Sequence, residues 1–137
     1  MSDRDAVLKV NRAFYRAFEA LDLEQMEAVW LREQRIACVH PGWRRLNGWG
    51  PVMTSWERIF QGAFEMKFEL RDEVVTMSGD LAVVLVEENL TQRGYDGGSR
   101  SQVLATNVFE RADGQWLMIL HHGSPVMAPP DDEPPLQ

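Results

Sequence analysis

The chain of 137 residues contains one cysteine, Cys38. A lone cysteine excludes an internal disulfide and a metal site built from several thiolates. The surrounding segment RIACVH is typical of a buried strand, so we expect an inert thiol. The sequence also lacks the apolar run of roughly 18 to 20 residues that a membrane crossing needs, and its first residues lack the apolar core of a signal peptide. We therefore expect a cytoplasmic protein.

Basic residues are scarce. The chain has 14 Lys and Arg against 21 Asp and Glu, a formal net charge of -7 and a pI near 4.9. The only adjacent basic pair is Arg44 and Arg45, whereas nucleic-acid binding needs clustered cations. We expect no nucleic-acid partner. What the sequence does contain is 45% hydrophobic residues, with five Trp and six Phe, which is enough for the core of one domain.

Helical periodicity occupies the first half of the chain. Apolar residues recur at helical spacing over 7–21, which predicts a long amphipathic first helix. Asp22 fits the N-cap of a short second helix. A third helix is predicted from Gly50 and Pro51, because proline is tolerated in a first turn, to an end within 62–64.

From about residue 66 the apolar period changes to two, which predicts strands. A short strand, IACVHPGW, comes earlier; the later strands are predicted at 66–71, 81–92, 101–111 and 115–123. Gly-containing turns separate them. Helices followed by an antiparallel meander indicate an α+β fold. We expect one domain over residues 1–126 and a disordered Pro- and acid-rich tail over residues 127–137.

The segment 81–92 is apolar on both faces at its start, which suggests that both faces of the sheet are covered. The helices provide one cover. The other is either a second copy of the chain, which we favour, or more of the same domain. A homodimer through the outer sheet face is therefore expected.

Two consecutive histidines lie in the last predicted strand. If Asp113 and Gly114 form a two-residue turn, regular pairing places Asn107 opposite Leu120 and Ala105 opposite His122. His122 then faces inward with Asn107, Phe109 and Met118, and His121 faces outward to the dimer contact.

The order of elements and several segments resemble the nuclear transport factor 2-like superfamily, in particular its SnoaL-like members. These segments are LDLEQMEAVW, VHPGW, LNGWGP and YDGGSRSQVLATNVFERADGQWLMILHHGSP, within a resemblance over roughly residues 5–126. The last third also resembles the association domain of calcium/calmodulin-dependent protein kinase II. The resemblance implies a curved antiparallel sheet wrapped around three helices as a cone, with a deep pocket and dimers through the outer sheet face.

The resemblance also implies the character of the pocket. In the kinase association domain it contains arginines, and the matching positions here are Asn89 and Asn107. Neutral amides in place of guanidinium groups make a carboxylate ligand less favoured. The resemblance places His40 in the pocket wall, where a proton-transfer role competes with a backbone-bonded role at a turn. The same two alternatives apply to His122.

The remaining candidates have structural alternatives. Glu87 shares the proposed inner face with Asn89 and is either a buried proton carrier or the partner of a neighbouring arginine, which we favour. His40, His122 and Glu87 are three residues of types that bind metals, but their spacing in the sequence does not match a known ligand pattern. We therefore predict no metal site. The aromatic candidates for ligand contact, each also a candidate for ordinary core packing, are Trp30, Trp43, Trp49, Trp56, Phe60 and Phe109.

These observations predict a SnoaL-like protein that binds a small, largely apolar molecule. His40 and His122 are the candidate catalytic residues for an isomerisation, cyclisation, dehydration or hydrolysis, since such chemistry needs only positioned acid–base groups and a dry pocket. No cofactor signature is present. The alternative is a non-catalytic ligand-binding or oligomerisation module, because this scaffold hosts many functions.

Overall fold

The computed structural model describes residues 1–95 and 97–127. The first helix, α1 (Asp3–Ala20), begins at an N-terminal cap that precedes its first apolar residues. Ser2 Oγ accepts a hydrogen bond from the Asp5 amide at 3.1 Å, and the Asp5 carboxylate accepts one from the Ser2 amide. This capping box starts the helix four residues before the apolar pattern does. Leu21 takes a left-handed conformation and ends it.

In the part of the chain that the structure describes, two further helices and six strands complete the fold. Asp22 caps α2 (Leu23–Val29), as predicted, and α3 spans Trp49–Gln61. The strands are β1 (Ala37–Val39), β2 (Leu46–Asn47), β3 (Ala63–Ser78), β4 (Leu81–Gly94), β5 (Gly97–Ala112) and β6 (Gln115–Pro125). No helix in the described ranges has both the length and the apolar character of a membrane-crossing segment.

The strands form one sheet in the order β2-β1-β6-β5-β4-β3. β3 to β6 form the predicted antiparallel meander, whereas β1 runs parallel to β6, so the sheet is mixed. The helices pack on one face of this sheet and bury a continuous core. The predicted α+β class is confirmed. The predicted domain boundary stays a prediction, and residues 128–137, almost all of the predicted tail, lie outside the described residues.

The inner face of β4 is the opposite of the predicted one. Val84, Val86 and Glu88 are buried against the helices, whereas Glu87 and Asn89 are half-buried on the outer face. The prediction of Glu87 and Asn89 as inward residues was wrong. Because both parities of β4 are apolar at its start, the hydrophobic pattern did not discriminate between the two faces.

A β-bulge in β6 reverses the predicted orientation of the two histidines. The turn at Asp113 and Gly114 forms as predicted, and Phe109 pairs with Met118. The register then shifts by one residue, so Asn107 pairs with His121 rather than Leu120 and Ala105 with Gly123 rather than His122. His121 is buried and His122 is exposed. The predicted inward His122 and outward His121 were both wrong, because a bulge inserts one residue and changes which parity faces inward.

Candidate active site

A cavity of about 520 Å³ lies between α3, the end of β1 and the inner face of the sheet. Its volume is typical of a small-molecule site. Most lining residues are apolar: Phe18, Pro41, Trp43, Ile59, Ala63, Met66, Leu90, Val103 and Pro125. The polar lining residues differ in burial. His40, Glu88 and His121 are 3%, 3% and 2% exposed, whereas Arg58, Gln92 and Ser101 are exposed or half-buried and belong to the rim.

Glu88 is the carboxyl group of the cavity wall. Its Oε2 accepts a 2.5 Å hydrogen bond from the Tyr15 hydroxyl, which reaches across from α1. Burial raises the pKa of Glu88 to about 7, because desolvation penalises the ionised form more than the Tyr15 hydrogen bond favours it. The pKa of Tyr15 is raised well above its usual value by burial and by the neighbouring Glu88. Glu88 can therefore gain or lose a proton near neutral pH.

His121 is the inward imidazole of β6. Its Nδ1 lies 2.6 Å from Asn107 Oδ1, and its ring packs on Phe14 with 4.8 Å between ring centroids. Burial, and to a smaller extent the charges of His40 and His122, lower the pKa of His121 to about 3. The ring is therefore neutral at physiological pH, and a neutral imidazole has one N–H donor and one acceptor nitrogen.

His40 is the second imidazole of the wall and follows β1. Its Nε2 lies 2.8 Å from Ser55 Oγ on α3, and its ring centroid lies 4.7 Å from that of Trp56. Burial lowers the pKa of His40 to about 4, so this ring is also neutral. Its side chain hydrogen-bonds to a side chain of α3, and among the described residues no backbone carbonyl takes the place that the structural alternative requires. Burial, with a smaller contribution from Glu88, raises the pKa of Cys38, which agrees with an inert thiol.

A buried hydrogen-bond network connects the cavity wall to α1. Asn107 Nδ2 donates to Asn11 Oδ1 at 2.9 Å and to the Tyr15 hydroxyl at 3.1 Å, while Asn107 Oδ1 faces His121. Asn107 is therefore the shared partner of the two chains of hydrogen bonds that lead to His121 and Glu88. It lies behind the wall, on the inner face where it was predicted.

The other predicted site residues separate into three groups. Trp43 lines the cavity together with His40. The core contains Trp30, Trp56, Phe60 and Phe109, and the partly buried Trp49 lies beneath the Arg32 guanidinium at 4.8 Å from the ring centroid. Glu87, Asn89 and His122 are on the outer face.

The outer-face residues have their own partners. Asn89 donates to Glu87 Oε2 at 3.2 Å and accepts from Gln102. The grouping of His40, His122 and Glu87 as metal ligands is excluded, because these residues lie on both sides of the sheet. Across the described ranges, no three or more His, Cys, Asp or Glu side chains are arranged to hold a metal ion.

Comparison with known proteins identifies the family. The SnoaL-like domain family matches residues 7–129. The chain belongs to this family. A candidate dehydratase of the NTF2-like family from Streptomyces avermitilis is 36% identical, with a TM-score of 0.85 over 90% of this chain and 96% of that one. A candidate calcium/calmodulin-dependent protein kinase type II association domain from Thiobacillus denitrificans is 37% identical, with a TM-score of 0.77 over 86% of this chain and 93% of that one.

Among curated proteins, the F-box protein SKIP8 of Arabidopsis thaliana is 29% identical over 119 residues. These residues are 87% of this chain and 49% of SKIP8, so the chain spans about half the length of this curated relative. The likeness to the hub of the S. rosetta kinase CaMKII, at 20% identity and a TM-score of 0.73, shows a shared fold.

In this SnoaL-like domain, four functional candidates were missed from the sequence: Glu88, His121, Tyr15 and Asn11. The last two are polar residues within the apolar stripe of α1, at positions that face the sheet. A polar residue in an apolar stripe is itself a signal, because burial of an unpaired polar group is costly. No comparable signal marked Glu88, because both parities of β4 are apolar at its start and each one carries a glutamate.

Proposed function

We propose that this protein binds a small, largely apolar molecule in the cavity and catalyses a proton-transfer reaction on it. The observation that carries the proposal is the meeting of buried Glu88, His40 and His121 in the wall of one mostly apolar cavity, whose other polar residues lie at the rim. Catalytic acids and bases work best with pKa values near the operating pH, and Glu88, with a pKa of about 7, meets this requirement.

The three groups have complementary roles in this proposal. Glu88 carries the proton, and the neutral rings of His40 and His121 accept hydrogen bonds from the substrate. Isomerisation, cyclisation, dehydration and hydrolysis all need such acid–base groups in a site that excludes water. We favour dehydration, because the 36% identical Streptomyces protein is described as a candidate dehydratase. Trp43 provides an apolar contact at the rim, and Asn107 holds the His121 ring.

The test is a search for turnover in metabolites of the native host. The purified protein and its Glu88→Gln variant are incubated with the small-molecule extract, and masses are compared by high-resolution mass spectrometry. We expect the unmodified protein to deplete one compound, with loss of water for a dehydration, and the variant to do so at least about a hundredfold more slowly. A metabolite profile that neither protein changes would refute catalysis.

A second candidate function is assembly through the outer sheet face. Val74, Leu81, Leu85 and Leu104 are 52%, 43%, 48% and 54% exposed on this face, and the Thiobacillus relative is described as a candidate association domain. Exposed apolar area of this kind favours a second copy of the chain, as a homodimer.

The cytoplasmic location predicted from the sequence stays a prediction.

The dimer is tested by light scattering coupled to size-exclusion chromatography. We expect a mass of two chains for the unmodified protein and of one chain for a Leu85→Glu, Leu104→Glu double variant. Thr54→Glu, which adds the same charge on an exposed position of α3, is the control and leaves the mass unchanged. An unmodified protein that elutes as a single chain would exclude the dimer.

A further inference from the structure

We propose that the ligand of the cavity presents an O–H or N–H donor to the buried wall, and is an alcohol or an amine rather than a carboxylate. This inference rests on the proposed small-molecule function and names its substrate class. It follows from the direction of every hydrogen bond that the three buried polar side chains make.

The direction of the network is determined at its solvent end. The Arg12 guanidinium can only donate, and it contacts Glu73 Oε1, while Glu73 Oε2 accepts from Asn11 Nδ2 at 3.1 Å. Asn11 Oδ1 then accepts from Asn107 Nδ2, so Asn107 Oδ1 faces His121. Because Asn107 Oδ1 can only accept, His121 Nδ1 carries the hydrogen. His121 Nε2 is therefore the acceptor nitrogen.

His40 has likewise used its only N–H. Ser55 Oγ donates its single hydrogen to the Val52 carbonyl at 2.6 Å, so it must accept from His40 Nε2. His40 Nδ1 is consequently the acceptor nitrogen, 3.9 Å from Cys38 Sγ. Neither imidazole of the wall has an N–H left for a ligand.

Glu88 adds a further acceptor. Its Oε2 is occupied by the Tyr15 hydroxyl, whereas its Oε1 has no hydrogen-bond partner among residues 1–95 and 97–127. The same holds for His121 Nε2. Within these ranges, the only fully enclosed side-chain nitrogen or oxygen that lacks a partner is Trp56 Nε1. Glu88 Oε1 and His121 Nε2 therefore retain contact with the cavity space.

The hydrogen-bond donors of the cavity lie elsewhere. The cationic one is Arg58, which is exposed at the rim, with the amide of Gln92 and the hydroxyl of Ser101 nearby in the lining. When Glu88 is ionised, a carboxylate at the buried wall would face the acceptors of Glu88 and His121 and lose its hydration without a donor in return. A hydroxyl or ammonium group would instead satisfy these acceptors.

The experiment compares four probes that share a phenyl ring and a two-carbon chain: 2-phenylethanol, 2-phenylethylamine, phenylacetate and ethylbenzene. Dissociation constants are measured by ligand-observed NMR titration at pH 8, where Glu88 is mostly ionised. We expect the alcohol, the amine or both to bind about three- to tenfold more tightly than ethylbenzene, and phenylacetate at least about tenfold more weakly than the better donor. Preference for the alcohol or for the amine identifies which donor the wall takes.

The inference would be overturned if phenylacetate bound more tightly than the alcohol and the amine, or if the alcohol and the amine bound no more tightly than ethylbenzene. Either result would still agree with the proposed small-molecule function. Failure of all four probes would overturn both. In Glu88→Gln, whose amide oxygen can still accept from Tyr15, the advantage of the donors should fall about threefold or more. The matched control Glu87→Gln changes a neighbouring outer-face carboxylate and should leave it unchanged. Because the probe series on the unmodified chain decides the inference, a variant that misfolds does not affect the outcome.

Discussion

His121 donates a hydrogen bond from Nδ1 to Asn107 Oδ1, 2.6 Å away, across the paired strands β5 and β6. The same amide uses its two N–H groups on Asn11 and Tyr15 of α1. One buried side chain thus connects the helix, both strands and, through Tyr15, the carboxyl group of Glu88. The Asn107 amide therefore connects the His121 ring of the cavity wall to the Tyr15 hydroxyl that holds Glu88.

Replacement of Asn107 by leucine should be strongly destabilising. The Asn107→Leu variant leaves the His121 N–H and the Asn11 carbonyl oxygen buried and unpaired, each at a cost of about 1 to 3 kcal/mol. We expect a loss of about 2 to 5 kcal/mol in the free energy of unfolding, measured by urea denaturation. Asn89→Leu is the matched control on the outer face and should lose less than about 1 kcal/mol. Equal losses would contradict the network.

The Glu88→Gln variant should gain stability relative to the unmodified chain as pH rises. The folded-state pKa of Glu88 is about 7, above its ordinary value of 4.5, so the unfolded state loses this proton first. Between pH 4.5 and 7 this group therefore lowers the stability of the unmodified chain, by about 3 kcal/mol in total. Urea titrations at pH 5 and pH 8 measure the change. If the difference in free energy of unfolding between the two proteins did not depend on pH, the pKa of Glu88 would not be raised in the folded state.

Acid should destabilise the protein through its buried imidazoles. The folded-state pKa values of His40 and His121 are about 4 and 3, below the ordinary 6.5, so the unfolded state binds these protons first. Their contribution is complete above pH 6.5 and is lost as pH falls, by about 3 to 5 kcal/mol each. Below pH 7 Glu88 offsets part of this loss, because its linkage has the opposite sign.

A stability curve of a His121 variant between pH 7 and pH 4 tests the burial of this imidazole. His121→Gln should reduce the slope of the free energy of unfolding with pH by about one proton. A slope equal to that of the unmodified chain would mean that His121 faces outward and that β6 has the regular register without a bulge.

A methyl group at Gly94 should disturb the end of the sheet near the cavity rim. A Cβ built there would lie 2.7 Å from the Gly62 carbonyl oxygen, which is backbone and cannot move aside cheaply. We expect Gly94→Ala to lower the free energy of unfolding by about 1 to 3 kcal/mol. At Gly62 itself the nearest atom to a Cβ is 3.7 Å away, so Gly62→Ala should stay within about 0.5 kcal/mol. Similar thermal denaturation midpoints for both variants would argue against the close approach.

The fold was largely predictable because it depends on signals that are local in sequence. The change of apolar period near residue 66, the cap at Asp22 and the turn at Asp113 and Gly114 each specify an element through nearby residues. The parallel pairing of β1 with β6 was not predicted from the residues. It joins segments about 80 positions apart in the sequence, as in Cys38 with His121, and no local pattern encodes such a pairing.

The site was only partly predictable, for two physical reasons. The first is that β4 begins apolar on both faces, so Glu88 and Glu87 could not be assigned to a side by pattern alone. The second is the β-bulge in β6 between the partners of Val108 and Phe109, which changes the parity of β6 without a glycine to mark it. His40 and Trp43 line the cavity and Asn107 lies on the inner face of β5, because these positions do not depend on the faces of β4 or β6. The predicted partner of Asn107 in β6 was nevertheless wrong, because of the bulge.

The extra residue in β6 has a consequence for comparing relatives. Paired residues across the outer face run from Val74 through Leu85 and Thr106 to His122. His122 therefore lies on the surface proposed for assembly, whereas its neighbour His121 lies in the wall of the cavity proposed for catalysis. Deletion of one residue from that strand would exchange the two environments and leave the dipeptide itself intact. A homologue with the same pair of histidines therefore has the same inward and outward residues only if its β5–β6 pairing contains the same β-bulge. A sequence alignment alone does not assign these orientations.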